Sequence, residues 1–216
     1  NLPKDQEFTN AIAHNLLSPE NRHLVDEIQE NPEYLIEMAF YIVNKEKRTV
    51  PFFLNDVQKS FLNDLRNAIE EHKAGNRRGI KLIVLKGRQQ GFTSFITAYQ
   101  LAATITQRNF SGMTVADSAD NTATIFEDKA RFPYSLLPDP LKPSEKFNNR
   151  KELHFDVLNS RWRCTTAGGE GAGRSKTVNF FHGSEVAFWP DYENTMTALQ
   201  GAFTTDCIQI LETTAN

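Results

Sequence analysis

A chain of 216 residues with 24 Lys plus Arg against 27 Asp plus Glu, net charge −3, has the size of one domain or of one domain with a small appendage. At 39% hydrophobic and 11% aromatic it can bury a sizeable core, which excludes a disordered chain, and no apolar run approaches the roughly 20 residues of a membrane-spanning helix. Cys164 and Cys207 make no disulfide framework, no basic-then-apolar leader opens the chain, and the charge balance is not that of a strongly basic DNA-binding domain. The charge is uneven, with 4 basic and no acidic residues over 81–110 against none and 5 over 181–216, so an anionic ligand is expected at the middle of the chain.

From Pro19 to Arg48 the residues Leu24, Ile28, Tyr34, Leu35, Met38, Ile42 and Val43 recur at helical spacing around a break at Asn31-Pro32, which predicts helix, break, helix. Asn55 to Lys73 places Val57, Phe61, Leu65 and Ile69 four apart, with Asn55 as N-cap and Gly75 past the end, and predicts a third helix. Ile80 to Leu85 then reads as a buried parallel strand, Phe92 to Gln107 as a helix, Met113 to Ala116 as a second buried strand and Ala119 to Phe132 as a helix. Strand, helix, strand, helix is the pattern of a parallel α/β sheet. Pro133, Pro138, Pro140 and Pro143 predict an irregular connection with no compact element. Leu153, Phe155 and Val157 alternate before Leu158-Asn159-Ser160, and Trp162 and Cys164 after it, as in a β-hairpin added to the sheet. A loop with four glycines follows over 168–173, and Val178 to His182 and Cys207 to Leu211 supply two more strands.

The segment Lys86-Gly87-Arg88-Gln89-Gln90-Gly91-Phe92-Thr93-Ser94 lies between a predicted strand and a predicted helix, where a phosphate-binding loop belongs. In the standard form, helix-terminal N–H groups cradle phosphates, a lysine reaches the β and γ oxygens, and a hydroxyl binds magnesium. Gly91 and Thr93 fit, but Phe92 stands at the lysine position and Lys86 at the first glycine, so the positive charge has moved six residues towards the strand end. Glu185, in His182-Gly183-Ser184-Glu185 at the end of a predicted strand, faces the ligand crevice of a doubly wound sheet and is placed to polarise a water. His182 is read as a structural residue and left out of the site.

Three segments in this order resemble the N-terminal ATPase domain of the large terminase subunit of tailed bacteriophages, the DNA-packaging motor. They are Lys86 to Thr93 as a lysine-first Walker A loop, Arg174 to Asp191 as the Walker B region and Leu211 to Asn216 as the coupling motif, so the resemblance spans roughly 50–216. It implies a RecA/ASCE-like P-loop fold over 50–216 behind an N-terminal helical segment over 1–49, with ATP and magnesium as ligands. It further implies nucleotide binding by Phe53, Gln58 and the loop from Lys86 to Ser94, with Phe52 beside Phe53 at the adenine, Arg88 on the γ-phosphate, Thr93 on magnesium and Glu185 as catalytic carboxylate. Thr213, Thr214 and Asn216 would couple hydrolysis to movement, and Arg174, chosen from Arg150, Arg161, Arg163 and Arg174, would serve as arginine finger to a neighbouring subunit.

One departure stands out: the family's Walker B motif ends in Asp-Glu, where this chain has Ser184-Glu185, and serine is a weaker partner for a hard cation. The partners implied are double-stranded DNA, a portal protein, the small terminase subunit and further copies in a ring on the procapsid, in the host cytoplasm and away from membranes. A longer parent protein with a C-terminal nuclease domain is expected, and these residues alone are expected to be monomeric. A helicase-like P-loop ATPase unrelated to packaging and a catalytically silent domain that binds portal or DNA remain open as other readings.

Overall fold

The computed structural model describes residues 18–149, 151–169 and 177–215 together with His14. Helices α1 (Arg22–Glu30) and α2 (Glu33–Ala39) are parted at Pro32, which has no N–H to continue the ladder of α1 and sits as the N-cap of α2. The helix then ends earlier than its apolar spacing predicts. Tyr41–Val43 is strand β1, paired antiparallel with β2 (Thr49–Pro51) in a two-stranded sheet. Ile42 and Val43 are β-branched, and the Asn44 side chain accepts from the Arg48 N–H at 2.9 Å, so hairpin chemistry overrides the four-residue spacing.

Helix α3 (Asp56–Lys73) starts on a full capping box, in which the Asn55 side chain accepts from the Gln58 N–H and the Gln58 side chain from the Asn55 N–H, each at 2.9 Å. Strand β3 (Ile80–Lys86), helix α4 (Phe92–Thr106) and strand β4 (Ser111–Ala116) follow as the sequence predicts. Helix α5 (Ala119–Thr124) runs on through a π-helical stretch (Ile125–Arg131) into α6 (Phe132–Ser135). The proline-rich connection does contain an element, β5 (Glu145–Asn149), which pairs antiparallel with β6 (Glu152–Phe155). Its partner strand creates it, and no local pattern announces it. Strands β7 (Ser160–Thr166) and β8 (Val178–Ser184), helix α7 (Tyr192–Gln200) and strand β9 (Phe203–Thr214) complete the described chain.

The main sheet has the order β3-β9-β8-β4-β7-β6-β5. Its first five strands are parallel, and β6 and β5 add antiparallel to β7, so the architecture is α/β with a mostly parallel sheet and the hairpin joined to it through β7. The order corrects one expectation. β3 is an edge strand rather than an interior one, and Ile83 and Leu85 on its outer face are 81% and 71% exposed while Ile80 on the other face is buried. An apolar run reads the same in an edge and a central strand, and only the strand order separates them.

Helix α4 is buried nearly throughout and carries the larger core, with α2 packed on it and α3 held to α2 by Arg66 and the buried Glu33 at 2.6 Å. The other sheet face holds a smaller cluster of Met113, Val115, Phe181, Trp189 and Leu199 under α7. Helices therefore flank the sheet on both faces, which leaves the carboxyl ends of the parallel strands as the open rim of the molecule.

Candidate active site

At that rim the chain leaves β3 through Lys86 and turns over Gly87 to Gly91 into α4. Gln89 and Gly91 take left-handed backbone, φ 61° and 76°. The dihedral requires glycine at position 91, and a Cβ there, 2.8 Å from the Gln58 amide nitrogen, would also push aside the side chain that braces the loop. Gly91 caps α4 without a side-chain acceptor, and the first-turn amides of the helix are left available to an anion. The loop is braced from below: Gln58 Nε2 donates to Gly91 O at 2.9 Å, Asn55 Nδ2 to Gln90 O at 3.2 Å, and Gly87 N to Gln90 Oε1 at 3.2 Å.

Lys86 is the hub. Its ammonium, on a side chain only 9% exposed, donates to Thr93 Oγ1 at 2.9 Å and pairs with Glu185 Oε1 at 3.1 Å and Glu212 Oε2 at 3.0 Å. Glu212 Oε1 in turn accepts from Thr93 Oγ1 at 2.6 Å and Ser184 Oγ at 3.0 Å, with His182 Nε2 at 3.2 Å. Burial pushes the Glu212 carboxyl up, but the hydrogen bond and charge of His182, the Lys86 ammonium and the Thr93 hydroxyl outweigh it and hold the pKa at about 2. Glu185 ends β8 in left-handed backbone, φ 53°, and its Oε2 accepts from Thr214 N at 3.0 Å and Thr214 Oγ1 at 2.8 Å. Lys86, Glu185 and Thr214 share an open cleft of about 440 Å³ with Arg88, Gln89, Asp117, Asn121 and Phe188.

Lys86, Thr93, Glu185 and Thr214, far apart in sequence, are thus brought together, with Arg88 and Gln89 exposed at the cleft mouth. Phe92 instead packs inward, edge-on to Phe61 with ring centroids 5.5 Å apart. Ser94 turns to the Lys129 ammonium at 3.0 Å, a group whose pKa burial lowers. Gln58 is buried and engaged by the cap and Gly91. Phe52 is buried and Phe53 half exposed, and neither lines the cleft. Thr213 Oγ1 is buried without a hydrogen bond among the described residues. Arg161 and Arg163 lie on β7, separated from β8 by β4, while Arg150, Arg174 and Asn216 fall outside the described residues.

Sequence reasoning sets His182 aside and overlooks Glu212, Asp117 and Asn121. For Glu212 a signal existed: it continues the Ile208, Ile210 face of a strand, where a charge is costly unless it has partners. Asp117 and Asn121, joined at 2.7 Å, gave none, because only the fold carries the end of β4 to the cleft.

An ammonium, an exposed guanidinium, uncapped helix amides, a hydroxyl and carboxylates form the donor set for a polyphosphate accompanied by a hard divalent cation. Among the described residues no group of three or more His, Cys, Asp or Glu is placed to hold a metal ion. Magnesium needs none, since it keeps several waters and takes phosphate oxygens.

No protein-family model matches the chain, and no curated protein matches it. Among solved structures it is similar to the HK97 bacteriophage large terminase, with a TM-score of 0.61 at 20% identity over 87% of this chain and 37% of that one. The large terminase ATPase domain of Thermus phage P74-26 is matched at a TM-score of 0.45 and 17% identity, over 76% of this chain and 71% of that domain. At this identity the HK97 comparison shows the fold, a mostly parallel α/β sheet flanked by helices, and the chain spans 37% of the length of that terminase.

Proposed function

We propose that this chain is an ATP hydrolase, the ATPase part of a large-terminase motor that drives double-stranded DNA into a viral procapsid. The reading rests on one observation above all: Lys86, at the end of β3, meets Thr93 of the uncapped α4 terminus and Glu185, just past β8, within 3.1 Å. That is a phosphate loop with its lysine supplied from the strand side, facing a carboxylate across the cleft.

Phosphoryl transfer asks a protein mainly for positioning and charge. Lys86 and Arg88 take up the β and γ oxygens, with the loop and α4 amides around them. Magnesium, when bound with the nucleotide through Thr93 and the phosphates, supplies further neutralisation of those oxygens. With Lys86 drawn to phosphate, Glu185 loses that ion pair and orients a water. The water oxygen bonds to the γ-phosphorus, Glu185 takes its proton, and the bond to the bridging oxygen breaks to leave ADP and phosphate. Because Glu185 also accepts two hydrogen bonds from Thr214, a change at the γ-phosphate is felt at the end of β9, the basis for coupling through Thr213, Thr214 and Asn216.

Phe53, half exposed outside the cleft itself, would serve as the base-stacking face for a base that extends beyond it, and residues 50–216 form the ATPase unit behind a helical segment over 1–49. A portal protein, the small terminase subunit and sister copies in a ring complete the motor in the host cytoplasm, with Arg174 reaching a neighbouring site. Glu185→Gln tests the chemistry. Nucleotide affinity should persist while turnover falls by about 10²- to 10⁴-fold. Unchanged turnover, or a parallel loss of affinity and turnover, would count against it.

A further inference from the structure

The serine at position 184 leaves the Walker B strand without the aspartate that the resemblance calls for on the metal side. A carboxylate nevertheless occupies that place, delivered from the neighbouring strand. Ser184 and Glu212 are direct partners in the β8–β9 register, and the Ser184 hydroxyl donates to Glu212 at 3.0 Å. The same Glu212 oxygen takes the Thr93 hydroxyl at 2.6 Å, the group a phosphate loop offers to magnesium.

Two further observations separate this from ordinary core structure. Glu212 is fully buried, and its Oε2 makes no hydrogen bond among the described residues, meeting only the Lys86 ammonium as an ion pair at 3.0 Å. A buried ion pair is weak evidence of a purely stabilising role, since replacing a whole pair by well-packed apolar side chains is often neutral or stabilising. Glu185 also already supplies Lys86 with a counter-charge at 3.1 Å. Two carboxylates thus share one lysine, and once that lysine engages phosphate the pocket carries negative charge beside the Thr93 hydroxyl.

The geometry points to Glu212 as the metal-side carboxylate of this site, acting on the water shell of the nucleotide-bound magnesium in place of the missing aspartate. This rests on the ATPase reading and names who holds its cation. Asp117, also in the cleft, is tied to Asn121 and has no described bond to Thr93 or Lys86. Glu212 is a positioning residue for the cation, with the Ser184 and His182 side chains setting its orientation, and losing such a partner typically costs 10–100-fold in metal affinity.

The test is divalent-cation binding to the ADP-loaded protein, read by titration calorimetry with magnesium and by electron paramagnetic resonance with manganese, beside ADP affinity in excess chelator. Glu212→Gln should weaken the cation by about 10- to 100-fold without weakening metal-free ADP binding. Ser184→Asp combined with Glu212→Gln, which moves the carboxylate to β8, should recover most of the loss. Should Glu212→Gln fail to fold, Glu212→Asp, with a shorter reach, should show the same cation-selective weakening. Full cation affinity in a folded Glu212→Gln, or equal weakening with and without metal, would overturn the assignment and leave the ATPase reading standing. Failure of the wild-type protein to bind ADP at all would overturn both.

Discussion

Phe92 and Lys86 stand at opposite ends of one loop and turn to different surroundings. The side chain at the first position of α4 is committed to the core, edge-on to Phe61, so it has no route to a phosphate. Lys86 approaches from the strand end instead and brings its ammonium to 2.9 Å from Thr93 Oγ1. If Phe92 serves packing alone, Phe92→Leu should keep nucleotide affinity and turnover, whereas Phe92→Ala should cost about 3–5 kcal/mol in denaturant unfolding. Loss of nucleotide binding in a Phe92→Leu protein of unchanged stability would assign the ring a direct part in the site. The Gln58 side chain is likewise engaged within the fold. An amide expected at the adenine is bound into the N-cap of α3 and the Gly91 carbonyl, where it holds the loop in shape.

Helix α3 also sets a titratable tether at its other end. His72, in its last turn, has Nδ1 2.9 Å from the Arg77 carbonyl oxygen and Nε2 3.1 Å from Asp206 at the start of β9. The hydrogen bond to Asp206, helped by the Arg77 carbonyl, raises the His72 pKa above its ordinary 6.5. A group whose folded pKa is raised contributes stability that is fully present below the unfolded value and is lost as pH rises through the folded one. The advantage of wild type over His72→Gln should therefore shrink as pH climbs past 6.5 through the folded pKa, by a modest amount because Asp206 is exposed. An NMR titration that places His72 at or below 6.5 would contradict it.

Elements defined by their own sequence, such as α3 with its four-residue spacing and cap, or the β3-loop-α4 unit, were legible from the local pattern, which also marks Lys86, Thr93 and Glu185 as candidates that the fold brings within reach of one another. β5 and β1 were not, since pairing with a partner makes them strands. Glu212 escaped for the same reason: its importance depends on β9 lying between β3 and β8, which no local pattern contains.

At the scale of the molecule, strand order is what builds the site. Placing β9 between β3 and β8 lines up Lys86, Glu212 and Glu185 along three adjacent strand ends, and the register that pairs Lys86 with Thr214 sets the end of β9 against the Glu185 carboxylate. Gln100, inside α4, ties the next three strands, β8, β4 and β7, together from beneath. Its amide nitrogen donates to carbonyls of β4 and β8 at 3.2 Å each, and its oxygen accepts from Trp162 of β7 at 3.0 Å, so a rotation of α4 would strain three strands together.

Everything proposed for this molecule depends on Lys86 meeting a triphosphate. The direct measurement is calorimetric titration of wild type and Lys86→Ala with a non-hydrolysable ATP analogue in magnesium. The expected result is one nucleotide per chain in wild type, weakened in Lys86→Ala by the about 10- to 150-fold that loss of about 1.5–3 kcal/mol of charged hydrogen bonding entails. Equal affinity in the two proteins, or no binding by wild type, would contradict it.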